Sequence, residues 1–361
     1  MNRRCSRGKR KHPGHDTRPT AIDLFSGCGG LSLGLKDAGF RVLLAVDIAP
    51  LAISCYRLNH RQVETWERDI FRVRASEILN HLGRGRGEID LVAGCPPCQG
   101  FSRLRTLNGA RSNEDRRNDL VGEFGRVVVG LRPRAVLMEN VPGLANDPRF
   151  EALLARLRKA GYRVRWGVLD AADYGVPQRR RRLILTAGLG GEVQFPLPKQ
   201  RSPSVRSVFK RLPPTGQSGD PWHDHLEVRS ARVRALIEKI PKDGGGRLDL
   251  CTADQLPCHQ ALDGFRDVYG RIAWDEVAPT ITSGFINPSK GRFLHPEENR
   301  AITVREGAVL QSFPRNYKFT VAAGKYPVAT LIGNAVPPRL AKAQALAVRR
   351  FLSERLGLAG K

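Results

Sequence analysis

The sequence lacks any apolar run that approaches the ~20 residues needed to span a bilayer. Its amino terminus also lacks the apolar core of a secretory signal, because the first residues are polar and basic. The seven cysteines are an odd number scattered along 361 residues, which argues against a disulfide framework and indicates reduced thiols. We therefore expect a cytoplasmic protein that makes no contact with a membrane.

Acidic residues are few relative to basic ones. The chain has 60 Lys and Arg against 35 Asp and Glu, which gives a formal net charge of +25. Such an excess indicates a polyanionic partner, most simply nucleic acid, although charge that only keeps the protein soluble is the alternative. Residues 1–18 have almost no apolar members, and we expect a disordered basic tail that contacts phosphates non-specifically.

Two common nucleotide-binding patterns are missing. The stretch Asp23–Gly30 reads as a strand followed by a glycine loop, but no Gly-Lys-Ser/Thr follows, and Ser32 stands where a dinucleotide fingerprint has its third glycine. A tight turn is the simple alternative. Asp47 and Asp69, which close the next two predicted strands, are placed to bind a ribose and an adenine amino group. A nucleoside cofactor without pyrophosphate, such as S-adenosylmethionine, fits this pattern.

No zinc-binding pattern is present either. Residues of the right type occur in the second half of the chain, at His223, His225, Cys251, Cys258 and His259. Their spacing matches no common zinc site, so we expect no metal.

Apolar strands and amphipathic helices alternate from residue 20 to residue 187. Strands are predicted at 21–25, 42–46, 63–69, 89–93, 135–138, 162–168 and 183–186. Repeated βα units of this kind predict an α/β protein with a doubly wound, mostly parallel sheet. A terminal helix, with Leu340, Ala343, Leu346, Ala347 and Phe351 along one face, is expected to return to that sheet.

Composition divides the chain into five parts. We expect a tail at 1–18, a large domain at 19–188, a small irregular domain at 189–308, a connecting segment at 309–332, and a returning segment at 333–361. The boundary near 189 rests on a change to a Pro-, Gly- and Arg-rich texture with one clear helix, near 230–240.

Cys98 follows a predicted buried strand and a stiff turn. Gly94 ends the strand at 89–93, and Pro96 and Pro97 then fix the backbone. A thiol at the carboxyl edge of a parallel sheet lies where ligands bind, so Cys98 is a candidate nucleophile. A buried structural cysteine is the alternative.

An ordered series of motifs resembles the cytosine-C5 DNA methyltransferase family. The resemblance covers roughly 20–187 and 270–352, and the motifs are Asp23–Gly30, Asp47, Asp69-Ile70, Pro96–Ser102, Glu139–Val141, Gln178–Arg182, Arg305-Glu306, Gln311–Pro314 and Ile332–Pro338. Asp47 departs mildly from the pattern, because many members have Glu at that place.

The resemblance implies that 19–188 is the catalytic and cofactor-binding domain, 189–308 the target-recognition domain and 309–332 a hinge. It also implies roles for individual residues. Cys98 would be the nucleophile, Glu139 would meet N3 of the target base, and Arg182 would meet its O2 with support from Arg180. A cofactor pocket for S-adenosyl-L-methionine would comprise Phe25, Ser26, Gly27, Cys28, Gly29, Gly30, Asp47, Ile48, Asp69, Ile70, Pro97, Leu120, Asn334 and Val336. DNA would be contacted by Gln99, Ser102, Arg103, Arg105, Arg116 and Arg117.

Cytosine chemistry is consistent with these roles. Attack of a thiolate at C6 makes C5 nucleophilic, and C6 is accessible only when the base is flipped out of the duplex. The Arg-rich segment after Cys98 would close on the DNA; a solvated loop is its simple alternative. The sequence therefore predicts a DNA (cytosine-5-)-methyltransferase of restriction-modification or orphan type, acting as a monomer on double-stranded DNA. A tRNA cytosine-C5 methyltransferase and a catalytically silent DNA-binding regulator remain as alternatives, and a cognate restriction endonuclease is a candidate functional partner.

Overall fold

Seven strands form one sheet in the part of the chain that the structure describes. A computed structural model describes residues 16–97, 119–199, 201–224, 228–255 and 266–355. The strands, numbered along the chain, are β1 Thr20–Leu24, β2 Arg41–Asp47, β3 Glu64–Glu67, β4 Leu91–Gly94, β5 Ala135–Asn140, β6 Tyr162–Asp170 and β7 Arg181–Leu189. Their order is β3-β2-β1-β4-β5-β7-β6. All neighbouring pairs from β3 to β5 are parallel, and β7 runs antiparallel to both β5 and β6. The predicted mostly parallel α/β sheet is confirmed.

Helices cover both faces of this sheet. Those of the described residues are α1 Gly30–Asp37, α2 Pro50–Asn59, α3 Ala75–Leu82, α4 Leu120–Leu131, α5 Pro148–Lys159, α6 Val205–Phe209, α7 Pro221–Asp224, α8 Ala231–Lys239, α9 Val304–Leu310, α10 Lys325–Asn334 and α11 Pro338–Arg355. None of the described helices is long and apolar enough to cross a membrane.

Successive side chains along the strands point to opposite faces of the sheet, so two apolar layers form. Ile22 and Leu24 of β1 face one layer, which α4 and α5 complete with Phe124 and Phe150. Ala21 faces the other layer, which α1 and α11 complete. The central strands are apolar on both faces because both faces are covered, as expected for a parallel sheet.

Helix α11 returns to the sheet as predicted, but its buried face differs from the predicted one. Leu340 and Phe351 are buried, whereas Leu346 is 45% exposed. Ala341, Ala345 and Val348 are buried instead. The predicted stripe also included Ala343 and Ala347, which are only half-buried. Ala341 faces α1 instead. It lies so close to Gly34 that a Cβ added at Gly34 would be 2.4 Å from the alanine methyl group.

The region after β7 has short helices and a third apolar cluster. This cluster joins residues such as Phe209 and Phe285 with Ala308, Phe313 and Ile332, and it also reaches Cys28 and Cys55. One core thus spans the predicted boundary between residues 308 and 309. The division into a recognition domain and a hinge stays a prediction.

His223 has an ordinary structural environment. Its Nδ1 lies 3.0 Å from Thr303 Oγ1, and its Nε2 lies 2.9 Å from the Pro213 carbonyl oxygen. Among the described residues no group of three His, Cys, Asp or Glu side chains could hold a metal ion. His225, Cys258 and His259 lie outside the described residues.

Candidate active site at the carboxyl edge of the sheet

The glycine loop after β1 lies against the end of β2. Phe25 has a φ of +60° and Gly27 one of +54°, so the chain turns sharply as soon as β1 ends. The Ser26 amide donates to the Val46 carbonyl oxygen at 3.1 Å. The Gly27 amide donates to Asp47 Oδ2 at 2.8 Å. These two bonds hold the loop beside the carboxylate that was predicted to bind a ribose.

Asp47 keeps acceptor capacity in this position. Its Oδ1 accepts from the Ala49 amide at 2.9 Å and its Oδ2 from Gly27. A carboxylate has about four lone-pair sites, so two remain for hydroxyl groups. The next side chain, Ile48, is 64% exposed, which is unusual for an apolar residue directly after a buried strand. Asp69 lies beyond β3, where its Oδ1 accepts from the Phe71 amide at 3.1 Å.

Ser26 gives an independent sign of a ligand. The residue is 5% exposed, and its Oγ has no hydrogen-bond partner among the residues that the structure describes. A buried hydroxyl without a partner costs free energy unless a ligand or a water satisfies it. The unpaired hydroxyl, the open acceptors of Asp47 and the exposed Ile48 together fit a nucleoside with a polar tail.

The carboxy-terminal motif meets the same loop. A Cβ at Gly30 would lie 2.5 Å from the Val336 carbonyl oxygen, so only glycine permits this approach. Val336 is buried, and the neighbouring Asn334 at the end of α10 is exposed. Tyr317 adds a second tie, since its hydroxyl donates to the Cys28 carbonyl oxygen at 2.6 Å. The structure thus brings both predicted parts of the cofactor pocket together.

Glu139 and Arg182 form an ion pair at the next part of this edge. Arg182 Nε lies 2.9 Å from Glu139 Oε1, and the two side chains are 14% and 11% exposed. The reversal of β7 explains the contact. Because β7 is antiparallel to β5, its first residues lie beside the last residues of β5, with Asn140 opposite Leu183. Two groups predicted to touch the base are therefore adjacent.

Asn140 connects this pair to the segment that leads to Cys98. Its Nδ2 donates to the Pro96 carbonyl oxygen at 2.9 Å, and its Oδ1 accepts from the Val141 amide at 2.8 Å. Pro96 is two residues before Cys98. The end of β5 therefore fixes the backbone at which the predicted nucleophile is attached.

The predicted nucleophile and the predicted DNA contacts lie outside the described residues. These are Cys98, Gln99, Ser102, Arg103, Arg105, Arg116 and Arg117. The described chain stops at the exposed Pro97 and resumes at Asp119, just before Leu120 begins α4. Their roles stay predictions.

Cys95 is the described thiol nearest to the ion pair, and its environment does not suit a nucleophile. Burial, together with the negative charges of Glu139 and Asp23, raises the pKa of its thiol well above the ordinary value. A thiol held neutral is a poor nucleophile. Cys95 therefore has the properties of a buried structural cysteine.

Arg180 and Gln178, which precede β7, join this strand to the carboxy-terminal motif. The Arg180 guanidinium donates to the Ile281 and Gly333 carbonyl oxygens at 2.9 and 2.8 Å. Its side chain is only 2% exposed, and burial lowers its pKa well below the usual range. Gln178 donates to the Leu310 carbonyl oxygen, and Gln311 donates to the carbonyl oxygen of Ala335 at 2.7 Å. Arg180 is thus placed to support Arg182 through the backbone.

Sequence reasoning missed a buried chain of polar groups behind the glycine loop. Ser32 Oγ donates to Asp23 Oδ2 at 2.6 Å, and the Tyr56 hydroxyl lies 2.6 Å from Ser32 Oγ. Asp23 Oδ1 is buried and has no hydrogen-bond partner in the described part of the chain. The signal in the sequence was the carboxylate of Asp23 in an otherwise mostly apolar predicted strand. The positions of Ser32 and Tyr56 in the sequence did not indicate that they contact it.

We expect the stability of the chain to fall between pH 5 and pH 8 because of Asp23. Burial raises the pKa of Asp23 from 3.8 to about 7. The folded state keeps this proton while the unfolded state has already lost it, so the free energy of unfolding falls as pH rises from about 4 through 7. Thermal unfolding of wild type and of Asp23→Asn at pH 5 and at pH 8 tests this pH dependence. The drop in melting temperature should be several degrees smaller in the variant, and equal drops would contradict the account.

Sequence comparison places the whole described core in one family. A family model described as C-5 cytosine-specific DNA methylase matches residues 20–350. The chain is 36% identical over 348 residues to the Type II methylase M.HgiDII of Herpetosiphon aurantiacus, with 92% of this chain and 95% of that protein aligned. It is 35% identical over 366 residues to the Type II methyltransferase M.XorII of Xanthomonas oryzae pv. oryzae, covering 91% and 84%.

Solved structures share the fold. A crystal structure described as a DNA modification methyltransferase encoded within a prophage (E. coli) superposes with a TM-score of 0.72 at 24% identity, covering 93% of this chain and 99% of that one. The S. pombe Dnmt2 methyltransferase superposes with a TM-score of 0.60 at 22% identity, covering 94% and 99%. At these identities the likeness supports the fold alone.

Proposed function

This chain belongs to the C-5 cytosine-specific DNA methylase family, and we propose that its sheet edge binds S-adenosylmethionine beside a cytosine flipped out of duplex DNA. It is a DNA cytosine-5 methyltransferase. The observation that carries the site assignment is the Glu139–Arg182 pair, with Asn140 bonded to Pro96 beside it. These groups share one edge with the glycine loop, two strands away, which is roughly 10 Å at the usual strand spacing.

Cys98 would activate the base by covalent addition. Its thiolate forms a bond to C6, and the electrons of the C5–C6 double bond then give C5 enamine character. A thiolate suits this step because it adds to carbon and later departs. The cationic Arg182 and the arginines that follow Cys98 in sequence would favour the thiolate.

Glu139 and Arg182 would hold the pyrimidine ring during the attack. As general acid, Glu139 would hydrogen-bond to and protonate N3, which takes up the negative charge that addition at C6 places on the ring. Arg182 carries five N–H donors, so donors remain for O2 after its contact with Glu139. A purine offers neither group in this arrangement, so the pair also contributes to selection of the base.

The cofactor pocket would be formed by both ends of the described chain. Phe25 would lie on the adenine, Asp47 would accept from the ribose hydroxyls, and Asp69 would accept from the adenine amino group. The loop 27–30, with Asn334 and Val336, would surround the amino acid part. When bound there, S-adenosylmethionine supplies an electrophilic methyl group. A water positioned near C5 would then remove the C5 proton, which restores the C5–C6 double bond and expels the Cys98 thiolate, while N3 returns its proton to Glu139.

We expect Asp47→Asn to weaken cofactor binding without a comparable loss of kcat. A hydrogen bond to a charged acceptor contributes about 1.5–3 kcal/mol, so the KM for S-adenosylmethionine should rise on the order of 10- to 100-fold. Glu67→Gln, an exposed carboxylate at the end of β3, is the matched control and should leave this KM unchanged. A KM increase below twofold in Asp47→Asn would remove Asp47 from the pocket.

The DNA contacts of this proposal divide into two sets. The segment from Gln99 to Arg117 would close over the flipped base and grip the flanking phosphates. Residues 189–308 would read the target sequence through the major groove. The enzyme would act as a monomer in the cytoplasm, and a restriction endonuclease of the same specificity would be its functional partner.

Methyl transfer from labelled S-adenosylmethionine to duplex DNA and to tRNA tests the substrate directly. The proposal predicts that label enters duplex DNA as 5-methylcytosine. Label in tRNA alone would favour the tRNA methyltransferase, and absence of label from both would favour a silent regulator. Bisulfite sequencing of DNA from a host that expresses the chain would identify the target.

A further inference from the structure

The amino edge of the sheet, opposite the active site, has a dense group of cations. Three of the connections at this edge lead into β4, β5 and β6: the loop between α3 and β4, the loop between α4 and β5, and the turn between α5 and β6. Together with the end of α5 and the start of β6, they contribute seven cationic side chains, which are Arg84, Arg86, Arg132, Arg134, Arg158, Lys159 and Arg163. We call this set the amino-edge cluster.

Hydrogen bonds place the three connections side by side. Arg86 donates from Nε and Nη2 to the Gly130 and Val129 carbonyl oxygens, both at 3.2 Å, which joins the first connection to the end of α4. The Tyr162 hydroxyl donates to the Pro133 carbonyl oxygen at 2.7 Å, which joins the third connection to the second. The cluster is therefore one surface and not three separate charge runs.

Few carboxylates balance this surface. Asp90 pairs with Arg134 at 2.9 Å, and Glu88 accepts from the Gly85 amide at 2.8 Å. Five members, Arg84, Arg132, Arg158, Lys159 and Arg163, have no ion pair or side-chain hydrogen bond with any residue that the structure describes. Four of these five are exposed and Arg132 is half-buried.

Helix capping explains only part of the cluster. The carboxyl ends of α3, α4 and α5 all lie at this edge, and a cation near a helix carboxyl end contributes about 0.3–1 kcal/mol. Arg86 has that role at α4, and Arg158 and Lys159 are in the last turn of α5. Arg84, Arg132 and Arg163 lie outside helices and pair with no described carboxylate, so their charge remains available to a ligand.

We propose that the amino-edge cluster binds the phosphates of a second segment of duplex DNA while the opposite edge holds the target cytosine. The inference rests on the proposed function, because it takes duplex DNA as the substrate. The six-residue β5 separates the two edges by roughly 20 Å at the usual rise per residue. Phosphates that contact the cluster therefore come from a different stretch of DNA. The basic tail is joined to the chain at this edge, since β1 begins at Thr20.

The choice of duplex DNA follows from the character of the surface. Phosphate recognition needs cations at backbone spacing but no pocket or apolar groove. The cluster presents cations on loops, at helix ends and at the start of β6. The exposed aromatic side chain of β6, Trp166, packs edge to face against Phe150 and lies three residues beyond Arg163, whereas single-stranded bases stack on a series of aromatic side chains. A DNA-modifying enzyme with a second phosphate-binding surface could transfer between neighbouring segments while it searches for its site.

A bridging experiment with the full chain tests this proposal. A cognate duplex with a donor fluorophore and a non-cognate duplex with an acceptor are mixed with each of three proteins. These are wild type, a Gln variant that combines Arg84→Gln, Arg132→Gln, Arg158→Gln and Arg163→Gln, and a Lys variant in which the same four positions are changed to Lys. We expect energy transfer with wild type and with the Lys variant and its loss with the Gln variant. Replacing the acceptor duplex by single-stranded RNA should give no transfer.

Two further readouts keep the outcome unambiguous. Methylation of the short cognate duplex should be unchanged in the Gln variant, because the catalytic edge is intact. On long duplex DNA, the slope of log affinity against log salt should become less negative by up to about 3.6, or 0.9 for each lost phosphate contact. Energy transfer that persists in the Gln variant, or that appears only with RNA, would overturn the proposal. A wild type that methylates no duplex would instead refute the proposed function.

Discussion

Cys98→Ala is expected to reduce methyl transfer to the uncatalysed background while DNA binding is retained. Without a thiolate to add at C6, C5 of cytosine stays too poor a nucleophile to accept a methyl group. The proposed DNA contacts lie in other residues, so affinity for the duplex should change little. The measurements are incorporation of labelled methyl groups into duplex DNA and the Kd for the same duplex.

Cys95→Ala is the matched control for this experiment. Cys95 is three residues earlier and close to the Glu139–Arg182 pair, but burial raises the pKa of its thiol well above the ordinary value. The control should keep most of its turnover, since it loses only a small buried side chain. Equal loss of activity in both variants would mean that the turn itself, and not the Cys98 thiolate, is what the reaction needs.

Glu139→Gln is expected to lower kcat on the order of 10²- to 10⁴-fold, the usual contribution of a positioned general acid. The amide cannot protonate N3, so negative charge accumulates on the ring as C6 is attacked. It also leaves Arg182, whose side chain is only 14% exposed, without its partner. Single-turnover rates with saturating DNA and cofactor measure the effect on the chemical step.

Glu192→Gln provides a control for the loss of an ion pair. Glu192 pairs with Arg165 on the surface, where both side chains are about 40% exposed. Exposed pairs contribute roughly 0–1 kcal/mol, so this variant should retain wild-type turnover. A loss of kcat below tenfold in Glu139→Gln would show that Glu139 is not the general acid and would leave it as a structural partner of Arg182.

The sequence was informative where the sheet has simple periodicity. Apolar runs bounded by glycine or an acidic residue predicted β1, β2 and β5. The ends of these runs correctly located Asp47 and Glu139 at the carboxyl edge of the sheet. The reversal of β7 was not predicted, because an apolar strand looks the same in either direction. That reversal is what places Arg182 beside Glu139.

Other features depend on contacts between residues far apart in the chain. Arg180 appeared as one of five polar residues in a charged run, yet it is buried against carbonyl groups from Ile281 and Gly333. Asn140 followed Glu139 in the sequence with no sign that it would bond to Pro96. The region from 201 to 302 has little periodicity, because short helices and turns form its core, so its architecture could not be predicted.

The most direct test of the central claim uses duplex DNA in which every cytosine is replaced by 5-fluorocytosine. After methyl transfer C5 carries fluorine in place of the proton, so the elimination that frees Cys98 cannot occur. In the presence of S-adenosylmethionine, wild type should form a complex with DNA that survives denaturation, and mass spectrometry of its peptides should locate the adduct at Cys98. A wild type that methylates cytosine but forms no such adduct, or an adduct at Cys95, would contradict the account.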